Sequence, residues 1–466
     1  MTEGRILVIT PEPLPLPGQP TNGAGLRAWG LAEGLRSRGF DAHVASWISS
    51  FADPYVSGNR PLPAHVHMFR RDRIGELIAE VAPSALVLQH WGLAREIPEL
   101  DLPIAMDLAG PHLLERLFWG ESDLLRHAEE KLEALRRADF FVCSGEYQRH
   151  YFYAWLTLAG LTPSEIELPV IPFSVPPYSP PPATSRKWDA FVYGGLFLAW
   201  QDPSAAIRAT LEEMSALGKG TLHLHVGAHP ALDASGGRFA QVLKEISVHS
   251  QVRTYDILPF DELVAHYVND GVALDLMEWN CERELAFTTR TMIYLWCGLP
   301  VIHDDYSELG RLIQEARCGW ALNPQDENAV RQVVRDILSD RIDLAAMSRA
   351  AREFAERYTW DKTIGPLAEF CANPQTRPRK SRSSMQWEAQ TRELVQLRHE
   401  CAMLRADLER LRGNWFVRVA ERIPCLLRRL LAPALRVVLW PVARWIEWRL
   451  KKTAAAPASA ERGKAE

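Results

Sequence analysis

The sequence predicts an α/β protein made of two successive βαβ halves, followed by a helical C-terminal region of different character. Three observations predict this. Short apolar runs alternate with helical patterns over the first 165 residues. The same alternation restarts at residue 188. A stretch with eight prolines, 163–182, lies between the two. Alternation of this kind builds parallel sheets covered by helices.

In the first half (1–165) the strand runs are Arg5–Thr10, Asp41–Trp47, Ala85–Gln89, Pro103–Asp107 and Asp139–Ser144. Ala24–Arg38 and Glu121–Arg137 carry apolar residues at three- and four-residue spacing, the helical period. The proline-rich segment can continue neither sheet nor helix, so 166–187 reads as an extended, semi-rigid connector, the alternative being one irregular surface loop. In the second half (188–372) the runs are Trp188–Tyr193, Thr221–Val226, Val252–Tyr255, Gly271–Leu276 and Leu299–His303. Helical patterns such as Pro203–Leu217 and Asn328–Ser339 separate them.

The 466 residues correspond to about three folding units. A hydrophobic fraction of 47% with 24% charged residues is a globular balance. The net charge of −5 argues against nucleic-acid binding through a general basic field. Seven cysteines include no C-x-x-C pair, which removes compact zinc and thioredoxin-like motifs and fits a reduced compartment. The N-terminus enters a strand without a signal-peptide pattern. No 18-residue stretch is both uncharged and proline-free, so no conventional membrane span is expected.

The composition changes near residue 372. Residues 373–385 are polar and basic, a flexible linker. Over 386–413 a heptad runs through Leu394, Leu397, Cys401, Leu404, Leu408 and Leu411 toward Trp415, which predicts a short coiled coil and a homodimer; a single amphipathic helix packed on the body is the alternative. Segment 414–452 interleaves nine Lys/Arg with Trp415, Phe416, Trp440, Trp445 and Trp448. Such a segment suits an anionic membrane surface, where arginines meet head groups and indoles lie at the boundary. A helical cap over the protein's own apolar surface is the other reading. Residues 453–466 are Ala-rich and charged, and are expected to be disordered.

Two glycine-bearing turns stand out. After the first strand comes Thr21-Asn-Gly-Ala-Gly25, with Gly23 and Gly25 opening a helix. Such a turn lets backbone N–H groups and a helix N-terminus approach an anion or a sugar hydroxyl. No G-x-G-x-x-G is present, and no acidic residue ends the second strand, which disfavours a nicotinamide oxidoreductase. A second pair, Gly194 and Gly195, follows the first strand of the second half.

Together with three further motifs, these turns resemble the GT-B glycosyltransferases, specifically the large retaining class that uses nucleotide-sugar donors. The motifs are Arg38-Gly39-Phe40 closing the first helix, Cys297-Gly-Leu-Pro-Val-Ile302, and Tyr358-Thr-Trp-Asp361. The resemblance covers residues 5–370. It implies two facing Rossmann-like domains, acceptor first and donor second, with reaction in the cleft between them. It also implies retention of configuration and no essential metal or other cofactor. The Asp304-Asp305 pair reads as the approach to a helix N-cap rather than a metal site.

The family's two glutamates are missing, since Leu285 and Ile293 stand at their positions. Glu282 and Glu284 are the nearest acids and are candidates to face the donor sugar; as solvated loop charges they would do nothing. Arg290, with Thr291 beside it, begins a helix over Thr289–Trp296. A guanidinium plus exposed N–H groups makes a diphosphate site. Gln201 follows the second glycine turn and is a candidate donor contact. His90 and Asp107 end strands, and His112 lies in the adjoining loop. The resemblance places a sugar-contacting histidine at His90 or His112, and Asp107, at a strand's carboxyl end, is a candidate for acceptor deprotonation or sugar-hydroxyl binding.

The expected function is sugar transfer from a nucleoside-diphosphate sugar to a glycan or lipid-linked acceptor. The expected setting is cell-surface polysaccharide assembly such as lipopolysaccharide, by a cytoplasmic enzyme held on the inner face of the membrane. Two other classes stay open. One is an inactive GT-B scaffold; the other is a sugar-nucleotide epimerase or hydrolase.

Overall fold

A computed structural model describes residues 4–120, 123–162, 164–227, 238–377 and 397–406, with Trp440 and Arg444. The chain divides into two compact units, Met1–Pro378 and Arg379–Glu466. In the second unit, 397–406 is helical. The rest of the expected coiled coil, nearly all of the basic Trp-rich segment and the 453–466 tail lie outside the described residues.

The first unit contains two six-stranded sheets, all parallel. The first consists of β1 (Ile6–Thr10), β2 (Ala42–Trp47), β3 (Val66–Phe69), β4 (Ala85–Leu88), β5 (Ile104–Leu108) and β6 (Phe140–Cys143). Their spatial order is β3-β2-β1-β4-β5-β6. The second consists of β7 (Ala190–Leu196), β8 (Thr221–Gly227), β9 (Val252–Tyr255), β10 (Val272–Asp275), β11 (Val301–Asp304) and β12 (Gly319–Leu322), in the order β12-β11-β10-β7-β8-β9. Central strands are unbroken apolar runs because helices cover both faces. Leu7 and Ile9 enter the core on one face of the first sheet, Ile6 and Val8 the core on the other. β3 and β12 are edge strands of four residues each, and neither is apolar enough to stand out in the sequence.

In each sheet the strand order reverses beside the first strand: between β1 and β4, and between β7 and β10. Crevices at such switch points, outside the carboxyl ends of the strands, are where open α/β sheets take ligands. The first glycine turn follows β1, whereas Gly194 and Gly195, expected after their strand, lie within the last residues of β7. At the first turn Asn22 caps helix Gly23–Ser37, its side chain accepting from the Gly25 N–H at 2.9 Å. Gly25 presses on the Pro13 carbonyl so closely that a Cβ would collide with it.

The connector serves both halves. Leu168 and Ile171 are buried in the first, Phe173 and Val175 in the second. Arg27 of the first helix pins the crossing point, donating to the Ile171 and Pro172 carbonyls at 2.7 and 3.1 Å. Two further donors of the same guanidinium grip Asp107 at the end of β5, both at 2.8 Å.

Two boundaries differ from those the sequence predicts. The chain returns to the first half before residue 372. In helix Gly365–Ala372, Leu367, Ala368 and Cys371 pack into the core beneath the first sheet. The Tyr358–Asp361 motif makes the turn, with the Trp360 indole donating to the Ser174 carbonyl at 3.1 Å and Arg38 donating to the Asp361 carbonyl. The start of the expected linker is also anchored, because the Arg377 guanidinium donates to the Asp139 and Ala138 carbonyls.

Arg27→Ala leaves the Asp107 carboxylate, which is fully buried, without its cation. A loss of about 3–5 kcal/mol is expected, read as a lower midpoint in denaturant unfolding.

Candidate functional site

The carboxyl ends of β7, β10 and β11 converge on a buried charged cluster. Asp275 ends β10 and has no exposed surface. It accepts from Arg290 at 3.0 Å, from the Thr288 hydroxyl at 3.1 Å and from the Thr291 hydroxyl. Arg283, also buried, lies 3.8 Å from Asp275 and 3.4 Å from Asp304 at the end of β11. His303 packs between the two carboxylates, 3.8 Å from Asp275 and 3.4 Å from Asp304. Burial opposes ionisation of Asp275, but Arg290, Arg283 and His303 outweigh it and hold its carboxyl below the usual range. Burial likewise opposes the imidazolium of His303, and Asp304 then Asp275 raise its pKa regardless.

This cluster aims Arg290. The residue begins helix Thr289–Trp296, and its guanidinium lies 4.8 Å from the centre of the Tyr193 ring. Nη1 donates to Asp275 and Nη2 donates to Gln201 at 3.1 Å. Those bonds engage two of the five N–H donors of a guanidinium. Gly195, at φ +138°, passes directly over the group, and a Cβ there would come within 2.6 Å of Nη2. Both the backbone angle and the space therefore require glycine. Gly194 has a different role: its N–H donates to the Tyr294 hydroxyl at 2.7 Å, so it is not free for a phosphate. Thr291 is also redirected from ligand contact, because its buried hydroxyl is committed to Asp275. Ile293, at the position of a family glutamate, packs in the core.

The first half faces this helix. A Cβ on Gly23 would lie 2.8 Å from the Thr289 hydroxyl, so the first glycine turn abuts the N-terminus that carries Arg290. Phe118 and Trp119 of the first half stand 6.2 and 5.7 Å from the Trp200 ring of the second. The Glu308 carboxylate accepts from the Tyr147 N–H across the same seam.

Two histidines lie side by side in the first half. His90 follows β4, and its Nδ1 accepts the Gly92 N–H at 2.9 Å. His112 lies 3.1 Å from Glu115 through Nδ1, and the two rings are 4.4 Å apart. These contacts set the tautomers. A backbone N–H only donates, so Nδ1 of His90 holds the lone pair and the neutral ring carries its hydrogen on Nε2. A carboxylate only accepts, so Nδ1 of His112 carries a hydrogen, and Nε2 is an acceptor when the ring is neutral. Burial, then the charges of His112, Arg116 and Lys131, push His90 well below its ordinary pKa, which keeps it neutral. One donor nitrogen and one acceptor nitrogen side by side match a hydroxyl group, which donates and accepts.

The remaining candidates separate. Asp107 does not reach the cleft as a free base; both oxygens are held by Arg27, and its role is structural. Glu284 accepts from the Trp279 indole at 2.8 Å at the surface. Glu282 points inward. It lies in the first turn of helix Cys281–Leu285, capped by Asn280, with one carboxyl oxygen buried and unbonded. Burial pushes it up to about 8; Arg283 opposes the rise and Glu115 of the first half adds to it. It is a neutral acid at pH 7. Asp275, Arg283 and His303 escape sequence reasoning, because only the strand order brings β10 and β11 beside β7. An aspartate ending a strand run was the available signal for Asp275.

Among comparisons with known proteins, no family model matches the chain. A curated relative, D-inositol 3-phosphate glycosyltransferase of Corynebacterium urealyticum, is 26% identical over 138 residues, 30% of this chain and 31% of that protein. The match thus spans less than a third of the relative's length. Among solved structures, sucrose-phosphate synthase from Thermosynechococcus elongatus superposes with a TM-score of 0.58 at 16% identity, over 78% of this chain and 98% of that one. The pneumococcal O-GlcNAc transferase GtfA, in complex with UDP and GlcNAc, gives 0.55 at 10% over 80% and 99%. WaaG, a glycosyltransferase involved in lipopolysaccharide biosynthesis, gives 0.52 at 12% over 79% and 100%. The fold is the two-domain GT-B architecture.

A carboxyl group raised by the fold stays protonated in the native state while the unfolded chain ionises, so native stability falls as pH rises from about 4.5 to 8. Glu282→Gln removes that dependence. The variant is expected to gain on the order of 1–3 kcal/mol over the wild type at pH 8 relative to pH 4.5, measured by denaturant unfolding at both pH values.

Proposed function

We propose that the protein transfers a sugar from a nucleoside-diphosphate donor to a hydroxyl acceptor. The observation that carries this is Arg290: a guanidinium fixed by Asp275 and Gln201 at a helix N-terminus, at the switch point of one sheet and against the glycine turn of the other. The build-up of negative charge on a departing diphosphate is what such a group stabilises, and a helix N-terminus adds to it. The UDP complex of the structural neighbour GtfA supports a nucleotide at this fold's cleft.

In this reading the diphosphate lies on Arg290 and the N–H groups at Thr289, with the Gly23 turn closing over it. The sugar extends toward the first half. There His90 donates from Nε2 to a sugar hydroxyl and His112 accepts from it. Glu282, a neutral acid, offers a further hydrogen bond to the sugar. The bond from the anomeric carbon to the β-phosphate oxygen breaks, and the bond from that carbon to the acceptor oxygen forms on the same face. The acceptor proton passes to the departing phosphate, so retention follows without a strong protein base and without a metal.

A lipid-linked glycan is the acceptor we favour, because the basic Trp-rich segment would hold the enzyme at the inner face of a membrane. A dimer through 386–413 would double that attachment. This places the reaction in cell-surface polysaccharide assembly.

A panel of nucleoside-diphosphate sugars, scored by nucleotide release with and without a membrane glycolipid extract, tests the reading. Arg290→Ala is expected to lower kcat/KM by about 10²–10³ while unfolding remains cooperative. Failure of the wild type to bind any donor would overturn the reading in favour of an inactive GT-B scaffold.

A further inference from the structure

Beside the donor site, large aromatic rings stand in water. Trp279 is 60% exposed, and Trp119 and Phe118 are 40% and 37% exposed. Contacts join them. The Phe118 and Trp119 rings of the first half stand against the Trp200 ring of the second. Asn280 donates to the Trp200 carbonyl at 2.9 Å, which brings the neighbouring Trp279 to the same edge of the seam. Helix Cys281–Leu285, which follows, packs on helix His112–Phe118. The aromatic ledge starts at the donor site, because Gln201, the partner of Arg290, directly follows Trp200. It also reaches the histidine pair, since His112 and Phe118 are the two ends of one helix, about 9 Å apart along its axis.

Trp279 is held rigid. Its indole N–H donates to Glu284 at 2.8 Å. The Tyr306 hydroxyl donates to the Met277 and Glu278 carbonyls at 3.0 and 3.2 Å. Asn280 caps the next helix by accepting from the Glu282 and Arg283 N–H groups. The loop is thus anchored without the indole, and core packing does not explain a tryptophan here. A polar residue would avoid leaving that apolar surface in water. A ring fixed in advance spares a ligand the entropy cost of ordering it.

The chemistry of the ledge narrows its occupant. The indole N–H is taken, so Trp279 offers its apolar face. Carboxylates flank that face, Glu278 beside it in the chain and Glu284 on its nitrogen. At the other end the Arg116 guanidinium lies 5.9 Å from the centre of the Trp119 ring. A hydrocarbon chain would make no use of these charges, and the carboxylates would repel an anionic head group. A pyranose ring suits both features. Its axial C–H groups form an apolar face, and its rim of hydroxyls donates to carboxylates and accepts from a guanidinium.

We propose that Trp279, together with Trp119, is a stacking platform for a neutral sugar ring of the acceptor. The acceptor is then recognised by its glycan, away from the hydroxyl that reacts, and Trp279 is a specificity-determining residue. The proposal rests on the sugar-transfer reading given above.

Oligosaccharides released by mild acid from the membrane glycolipid extract are the probe. They are titrated into the full-length protein labelled with 5-fluorotryptophan and followed by fluorine NMR. The Trp279 resonance, assigned from Trp279→Ala, is expected to shift with the oligosaccharides and to stay in place with equimolar phosphatidylcholine–phosphatidylglycerol vesicles. Trp279→Ala is expected to weaken oligosaccharide binding about tenfold and to raise the acceptor KM by a similar factor, with the UDP dissociation constant unchanged. Trp279→Phe should restore most of the loss. No shift of the Trp279 resonance overturns the proposal. So does a shift produced by the vesicles instead, or an oligosaccharide affinity unchanged in Trp279→Ala. Transfer assays separate the platform from the reading it rests on. If the wild type transfers and Trp279→Ala does so with an unchanged acceptor KM, only the platform falls. If the wild type transfers nothing from any donor yet the oligosaccharides shift Trp279, only the transfer reading falls. Should Trp279→Ala not fold, Trp279→Phe supplies the assignment and the wild-type titration decides.

Discussion

The second half of the site depends on one buried carboxylate. Asp275 sits at the end of β10 without solvent contact, and Arg290, Arg283, Thr288 and Thr291 surround it. A lone carboxylate in that position would be untenable; two guanidinium groups and hydroxyl donors make it stable. In return it fixes Arg290, which orders Gln201 and demands glycine at 195. Removing Asp275 would leave the Arg290 and Arg283 guanidinium groups without the carboxylate they share. Rigidity of this kind suits a group that must meet charge developing in a transition state, because little reorganisation is left to do.

The first half contributes groups of a different kind. Two imidazoles lie side by side there, with Glu115 on Nδ1 of His112. Arg290 and the histidine pair come from the two different halves. Each half carries only part of a site, and the seam between them, where Gly23 meets Thr289 and Trp119 meets Trp200, completes it. The Arg27 guanidinium holds that arrangement from behind, binding the end of β5 and the crossing chain with one side chain.

Much of the fold was legible in the sequence because central parallel strands are buried on both faces and read as unbroken apolar runs. β1, β4 and β10 announce themselves in this way, β2, β5 to β9 and β11 by apolar residues between helical patterns, the edge strands β6 and β9 included, and the helix Thr289–Trp296 by its periodicity. β3 and β12 did not, since an edge strand needs only one covered neighbour and tolerates His67 or Trp320. The place of Arg290 in the first turn of helix Thr289–Trp296 was legible from the periodicity of that segment. Asp107 was misread for a good physical reason: the end of a parallel strand is where ligands bind, but nothing local revealed that Arg27, eighty residues earlier, would take both of its oxygens.

By itself the sequence determined the two α/β halves, their glycine turns and the proline crossing, since periodicity and backbone restriction are local properties. Only the tertiary structure decided which polar residues are committed to partners within the fold. Asp107, Thr291 and Gly194 became structural. Asp275 and Arg283 joined Arg290 in one cluster, and Glu115 took Nδ1 of His112. The final helix went to the first half instead of the second. Those outcomes turn on burial and on charge partners brought from distant strands, and a charge's energy depends on what surrounds it in space, not on its neighbours along the chain.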